Sequence, residues 1–310
     1  MPAEIYGERY KFLPKDELLT FEEITRLTTI FVQLGAVKVR LTGGEPLVRK
    51  DLDKLVVKLS RIEGVEDLTL TTNAYLLSHQ AQTLKEAGLQ RITVSLDTLD
   101  DEIFRRMNGR EFGTKKVLEG IESAERAGFH PIKINAVVQR GVNDHTLVHL
   151  AKYFKDRGHV VRFIEYMDVG NRNGWMLDQV VPASEIASII NNEIPIEPIE
   201  SNYSGEVALR YRYLDGSGEV GIISSVTKPF CGDCTRLRLS PEGRMFTCLF
   251  ATKGTDLRGA LRTGASDDDL VDLITGMWKM RKDRYSENRS SMTEELRGTL
   301  QKVEMYHIGG

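Results

Sequence analysis

Residues 37–46 read Val37-Lys-Val-Arg-Leu-Thr-Gly-Gly-Glu-Pro46, and this stretch decides the fold class. A strand-like run from Val37 to Leu41 gives way at once to two glycines and a proline, the pattern of a strand that stops in a tight turn. The glycines permit positive φ and close approach of a ligand to the backbone, and Pro46 fixes the exit. Short apolar runs recur downstream at Leu68 to Thr72, Ile92 to Ser95, Ile132 to Val138 and Val160 to Met167. Amphipathic segments separate them: Leu52 to Ile62, Leu76 to Ala87, Lys116 to Ala127 and Leu147 to Arg157. Strand alternating with helix at this spacing predicts parallel strands joined by right-handed crossovers. Polar residues gather at the C-terminal strand ends, at Thr42 to Glu45, Thr71 to Asn73, Ser95 to Asp97, and Met167 with Asp168. That placement favours an α/β partial TIM-like barrel over an open doubly wound sheet, because a barrel builds its site at that end.

Working outward, Phe21 to Leu34 reads as a helix with Thr20 as N-cap and Glu23 placed for a capping box. Residues 1–19 are a polar, proline-containing loop, so no strand precedes this helix and the chain is expected to begin inside a βα unit. After Val181 the pattern changes. Val207 to Tyr213, Val220 to Ser224 and Thr235 to Ser240 are β-rich, with turns at Asp215-Gly216 and Pro241-Glu242-Gly243, which predicts hairpins. Two units are therefore expected, a partial barrel over 1–181 and a smaller α+β module over 182–310. Helices are expected at Thr255 to Arg262 and, capped by Ser266, at Asp267 to Met280, whose basic end (Lys279, Arg281, Lys282, Arg284) suits the helix dipole.

The 310 residues, 41% hydrophobic and 28% charged, describe an ordinary globular chain. Forty-two Lys and Arg against forty-five Asp and Glu leave a net charge of -3, so no global field recruits nucleic acid or anionic lipid, and an anionic ligand must be met locally. No apolar run reaches the roughly eighteen residues of a membrane span, and Met1-Pro2-Ala3-Glu4 lacks the features of a signal peptide. A cytoplasmic protein is expected.

All three cysteines, Cys231, Cys234 and Cys248, fall in one short stretch, which points to a metal and not to a disulfide framework. A turn across Cys231-Gly-Asp-Cys234 aims both sulfurs inward. Zinc would need a fourth ligand, the nearest downstream histidine being the distant His307, whereas an iron-sulfur cluster on three cysteines keeps one iron open. Buried inert thiols are the third option. Lys133 and Asn135 share one face of a predicted strand; a lysine there either meets an anion or lies on an outer face. Arg236-Leu-Arg238 places two guanidinium groups beside the cysteines, as phosphate or carboxylate recognition would require.

Taken together, Gly43-Gly44-Glu45-Pro46 after a strand, Thr71-Thr-Asn73, Ser95-Leu-Asp97, Glu165-Tyr-Met167, the cysteine set with Arg236 and Arg238, and the terminal Gly309-Gly310 closely resemble one family over the whole chain. It is the radical SAM GTP 3',8-cyclase family of molybdenum cofactor biosynthesis. The resemblance implies a partial TIM barrel that holds S-adenosyl-L-methionine (SAM) on one [4Fe-4S] cluster, and a C-terminal module whose three cysteines hold an auxiliary [4Fe-4S] cluster facing GTP. It assigns Gly44, Ser95 and Met167 to SAM, and Arg40, Thr71, Lys133, Arg236, Leu237 and Arg238 to GTP. Cys231, Cys234 and Cys248 become the auxiliary-cluster ligands, and the Gly309-Gly310 tail reaches into the site and is needed for turnover. The implied reaction removes the ribose C3' hydrogen of GTP and joins C3' to guanine C8. A reductase or flavodoxin-like electron donor and, as the next enzyme, cyclic pyranopterin monophosphate synthase are the implied partners, with a homodimer as an option.

The family's CxxxCxxC motif for the SAM cluster does not occur in this sequence. In the family, the segment resembling Met1 to Glu4 follows the last of those cysteines, so a member shortened by its first strand is expected, unable by itself to cleave SAM. Two other readings compete: a radical SAM enzyme that modifies a peptide with the help of an auxiliary cluster, and a non-enzymatic zinc-stabilised binding protein.

Overall fold

The alternation expected from the sequence is present in the computed structural model, which describes residues 13–109, 112–171, 174–292, 297 and 299–309. Helix α1 (Phe21–Gln33) starts on the expected capping box, Thr20 accepting from Glu23 N and Glu23 from Thr20 N. Then come β1 (Lys38–Leu41), α2 (Leu52–Ser60), β2 (Asp67–Thr72), α3 (Leu77–Glu86) and β3 (Arg91–Ser95). Helix α4 (Asp101–Asn108) was not legible; Asp100 caps it by accepting from Glu102 N and Ile103 N, and Gly109 ends it in the left-handed region. After it follow α5 (Thr114–Arg126), β4 (Lys133–Val138), α6 (Leu147–Lys155), β5 (Val160–Glu165) and α7 (Ala183–Glu193).

Strands β1 to β5 lie in parallel, in sequence order. Their faces differ in chemistry. Leu68, Leu70, Ile92, Val94, Ile134, Ala136, Val138, Val161 and Phe163 are buried against the helices and form the main core with Leu55, Leu84, Ile121 and Phe154. The opposite, concave face carries Arg40, Thr69, Thr71, Thr93, Ser95, Lys133, Asn135 and Arg162 by the period-two rule. Parallel sheets covered on both faces read as continuous apolar runs; one polar face means that the interior of this barrel is a site.

The change of pattern at Val181 does not interrupt the sheet. β6 (Ile196–Ile199), β7 (Leu209–Tyr213) and β8 (Glu219–Ile223) form an antiparallel meander, and β8 then pairs in parallel with β5, giving the order β1-β2-β3-β4-β5-β8-β7-β6. The hairpin at Asp215-Gly216 is as expected, but its strands extend the barrel sheet. A separate sheet holds β9 (Arg238–Leu239), β10 (Arg244–Phe246) and β11 (Thr255–Asp256). The helix expected from Thr255 starts later, as α8 (Leu257–Arg262), because Thr255 and Asp256 pair with β10 and the Asp256 carboxylate caps by accepting from Gly259 N at 2.9 Å. α9 (Asp267–Lys279) carries the Ser266 cap, and α10 (Tyr285–Asn288) and α11 (Met305–Ile308) are single turns.

A second core binds these C-terminal elements to the first helix: Leu27 and Ile30 of α1 pack with Met245, Leu257, Leu261, Leu270 and Ile274. Of the opening loop expected over residues 1–19, residues 1–12 lie outside the described residues and Lys15–Glu17 forms a short 3-10 turn. Among the described residues no helix is long and apolar enough to cross a membrane.

Candidate functional site

The turn after β1 is built as its sequence implies. Gly43 has φ +130°, a value an L-residue rarely adopts. The Glu45 carboxylate pins the turn to the end of β2, accepting from Thr72 Oγ1 at 2.7 Å, Asn73 N at 2.8 Å and Leu47 N at 3.1 Å; burial raises its pKa above the ordinary value. Gly44 is exposed on this turn, Ser95 is the exposed last residue of β3, and Met167 lies two residues beyond β5. The three therefore share the C-terminal rim of the sheet. Two buried acids brace that rim. Asp97 accepts from Val137 N at 2.8 Å, and burial pushes its pKa up to about 6. Glu165 accepts from Ala183 N, Val226 N and Thr227 N at 2.7 to 2.9 Å, tying the end of β5 to the segment that leads to the cysteines.

On the concave face Arg40 donates to Thr71 Oγ1 at 2.8 Å and to Thr93 Oγ1 at 3.3 Å, so two residues singled out in the sequence meet directly. Arg162, absent from the sequence reading, donates from Nε to Asn135 Oδ1 at 2.9 Å. Lys133 is partly buried near it. Burial first, then the Arg162 and Arg91 charges, push the Lys133 pKa down to about 8. Burial and the Arg40 charge lower Arg162 to about 10, which leaves it charged at neutral pH. Among the described residues no carboxylate forms an ion pair with Arg40, Lys133 or Arg162. Of the nearby acids, Asp67 pairs with Lys38 and Arg91 and Glu219 with Arg210, while Glu206 accepts from Asn202 N at 2.7 Å and adds a carboxylate charge to the field at Lys133 and Arg162 without pairing with either. A cavity of about 400 Å³ opens beside this face, between Tyr203 and Glu206 on one side and Phe230 and Asp233 on the other. Tyr203 stacks under Lys38 at 4.2 Å, and Phe230 immediately precedes Cys231.

The three thiols are free and partly buried. Cys234 N donates to Cys231 O at 3.3 Å in the expected turn, and Phe250 N donates to Cys248 Sγ at 3.4 Å. Burial raises the Cys248 pKa; Cys234 is also buried, but the Arg236 N–H and the Arg236 and Arg281 charges hold it below the ordinary thiol value. Arg238 is buried within electrostatic reach of Cys234 and Cys248, and burial lowers its pKa to about 10. Among the described residues no three Cys, His, Asp or Glu side chains approach closely enough to share one metal ion. Three thiols in one stretch of the chain, two of them within reach of the Arg238 charge, are donors that suit an iron-sulfur group or a zinc ion.

The strand expected over Thr235 to Ser240 is reduced to Arg238–Leu239, so Arg236 and Arg238 do not share a strand face. Arg236 stacks on Phe230 at 4.9 Å, Leu237 packs against the second core, and Arg238 Nε donates to Gly309 O at 3.2 Å. Gly309 is buried at φ +74°, and a Cβ there would collide with the Thr42 methyl. The tail thus meets both the thiol module and the end of β1. Gly310 lies outside the described residues.

A polar rim above a polar interior is where a β/α barrel builds its site. Residues 5–154 match the model of the Radical SAM superfamily and residues 159–287 that of Molybdenum Cofactor Synthesis C. The chain is 50% identical over 331 residues to the GTP 3',8-cyclase of Acidothermus cellulolyticus, and 48% identical over 311 residues to that of Staphylococcus carnosus. Each alignment covers 100% of this chain and 91% of the relative. Among solved structures, methylornithine synthase aligns with 88% of this chain and 77% of its own at 16% identity and TM-score 0.46. The chain belongs to the GTP 3',8-cyclase family.

Proposed function

We propose that this chain binds GTP between the concave cations and the thiol loop, the substrate half of the family reaction that joins ribose C3' to guanine C8 in the molybdenum cofactor pathway, and that these 310 residues, which carry no CxxxCxxC motif, do not generate the radical by themselves. The carrying observation is the set Arg40, Lys133 and Arg162, three buried or half-buried cations with no carboxylate partner among the described residues. Such a set is costly unless an anion completes it, and a triphosphate supplies the charge. Thr71 and Thr93 fix the direction of the Arg40 guanidinium, and Asn135 that of Arg162, so the phosphates meet preset donors. Arg236 and Arg238, with the backbone at Leu237, border the base end beside the cysteines. Cys231, Cys234 and Cys248 would hold the auxiliary [4Fe-4S] cluster, and Gly44, Ser95 and Met167 would line the SAM side of the rim. SAM with reduced iron-sulfur centres supplies one-electron chemistry when bound. Gly309 borders the site from the C-terminus.

In this reading residues 1–181 shape the SAM side and 182–310 carry the cluster and the tail. A reductase or flavodoxin-like electron donor, cyclic pyranopterin monophosphate synthase as the next enzyme, a homodimer as an option and a cytoplasmic setting complete it.

The test is anaerobic reconstitution followed by GTP titration. About four irons per chain, lost in Cys234→Ala, are expected from three-cysteine ligation of one cluster, with GTP binding that ATP does not match. A colourless chain holding one zinc, or GTP binding that survives Lys133→Ala and Arg162→Met undiminished, overturns the reading. With cysteines for one set only, the 310-residue chain is expected to give no 5'-deoxyadenosine from SAM, GTP and dithionite.

A further inference from the structure

Gly309 of the C-terminal tail is buried between Thr42 and Arg238, and of the described residues just before it only Met305–Ile308 form a turn, α11. Ile308 is buried and Val303 N donates to Ala251 O at 2.8 Å, but the densest set of contacts is polar. Lys302 Nζ, with its side chain 5% exposed, donates to Asp168 O at 2.6 Å, Asp168 Oδ2 at 3.0 Å and Tyr285 Oη at 3.0 Å. The other carboxylate oxygen of Asp168 faces Arg289 Nε at 2.8 Å, and the Arg289 guanidinium lies over Trp175, Phe250 and Tyr285 at 5.1 to 5.9 Å. The same loop grips the tail again: Asn171 Nδ2 donates to Lys302 O at 2.6 Å, Lys302 N to Asn171 Oδ1 at 3.0 Å, and Asn171 N to Glu304 Oε1 at 3.0 Å.

We propose that Asp168 is a positioning residue which, through Lys302, docks the C-terminal tail onto Arg238 and Thr42, so that the loop carrying Met167 also sets where the tail sits. The proposal rests on the reading of this rim as the reaction site. Asp168 directly follows Met167, and the tail residue it holds lies seven positions before Gly309. A displacement of this loop therefore moves both the SAM side of the rim and the tail.

Hydrogen–deuterium exchange on the full 310-residue chain, read by mass spectrometry, tests it without turnover. In Lys302→Met the amides of 303–309 should exchange tenfold or more faster, while β2 to β4 and the iron content after reconstitution stay as in the parent. Lys302→Arg should restore most of the protection. Asp168→Asn should resemble Lys302→Met; if it does not fold, the Lys302 pair of variants decides. Unchanged tail exchange in Lys302→Met overturns the proposal, as does an equal rise in β2 to β4 or a failure of Lys302→Arg to restore protection. Absence of GTP binding in the parent chain would overturn the function proposed above but not the docking of the tail, since the two readouts are separate.

Discussion

Arg289 and Lys302 are buried around a carboxylate, Asp168, whereas Arg40, Lys133 and Arg162 gather with no carboxylate partner among the described residues. Both clusters take cations out of water, and desolvation opposes both. In the first the counter-charge comes from the chain itself, backed by Tyr285 and three aromatic faces, so the cluster is complete in the sense that each cation touches a carboxylate, although the two share one and Arg289 Nη2 makes no hydrogen bond among the described residues. In the second the direct side-chain partners among the described residues are hydroxyls and an amide, Thr71, Thr93 and Asn135, which orient the cations without neutralising them. A complete cluster holds structure in place. An incomplete one is held in place by structure and waits for an external anion.

Truncating the complete cluster should have the largest effect. Asp168→Ala leaves Arg289 and Lys302 buried without their anion, and breaking a buried pair in this way costs about 3–5 kcal/mol. Thermal or urea unfolding of the variant measures it; a loss under about 1 kcal/mol would mean that the aromatic faces of Trp175, Phe250 and Tyr285 carry the cations alone.

Neither cluster was fully legible in the sequence, for different reasons. The barrel was readable because the convex faces of β2 to β5 are apolar and the helices between them amphipathic, a local signal. Arg162 was hidden inside the apolar run Val160 to Glu165; the signal that finds it is the alternation Lys38 and Arg40, Lys133 and Asn135, then Arg162, polar at every second position of successive strands. The Asp168–Lys302 contact spans 134 positions, and no local pattern reports such a pair. Distance also concealed the sheet's continuation. The turn at Asp215-Gly216 marks a hairpin, but which strand β8 then joins depends on β5, more than fifty residues upstream.

A smaller effect is expected where the tail touches the incomplete side. Gly309 combines φ +74° with contact on Thr42, so Gly309→Ala adds backbone strain of about 1–3 kcal/mol as well as a steric clash. Because the tail is terminal, it should yield locally. Global unfolding should be unchanged while exchange at Ile308 and the Gly309 amide rises; a lower melting temperature would show instead that the tail is integral to the fold.

The incomplete cluster should answer in the opposite sense to Asp168. Arg162→Met removes a buried cation from beside Arg40 and Lys133, so the free chain should be as stable as the parent or more stable by about 1–2 kcal/mol. GTP should bind more weakly by about 10- to 150-fold, the equivalent of one charge-assisted contact of roughly 1.5–3 kcal/mol. Stability and affinity moving together would break the contrast between the two clusters.

The finest test is the pH dependence of GTP affinity at Lys133. Burial, then Arg162 and Arg91, push its pKa from the ordinary lysine value down to about 8. The lowered value means that in the free chain the charged form is disfavoured, so the penalty is fully present below pH 8 and is relieved as pH rises through it. A bound phosphate reverses the balance and draws the pKa back up, so binding takes up a proton in the window between about 8 and the ordinary lysine value. Affinity should therefore be level from pH 7 to 8 and fall above it, by at most about tenfold per pH unit. Phosphate ionisation is complete above about pH 7.5, and Arg162, at about 10, still holds its proton over the lower part of the window. Lys133→Met should bind more weakly at pH 7 and show a flat profile up to about pH 9, so parent and variant converge as the pH rises. A slope that persists in Lys133→Met would transfer the titration to another group, and a flat parent profile would remove Lys133 from the phosphate site while leaving Arg40 and Arg162 in place.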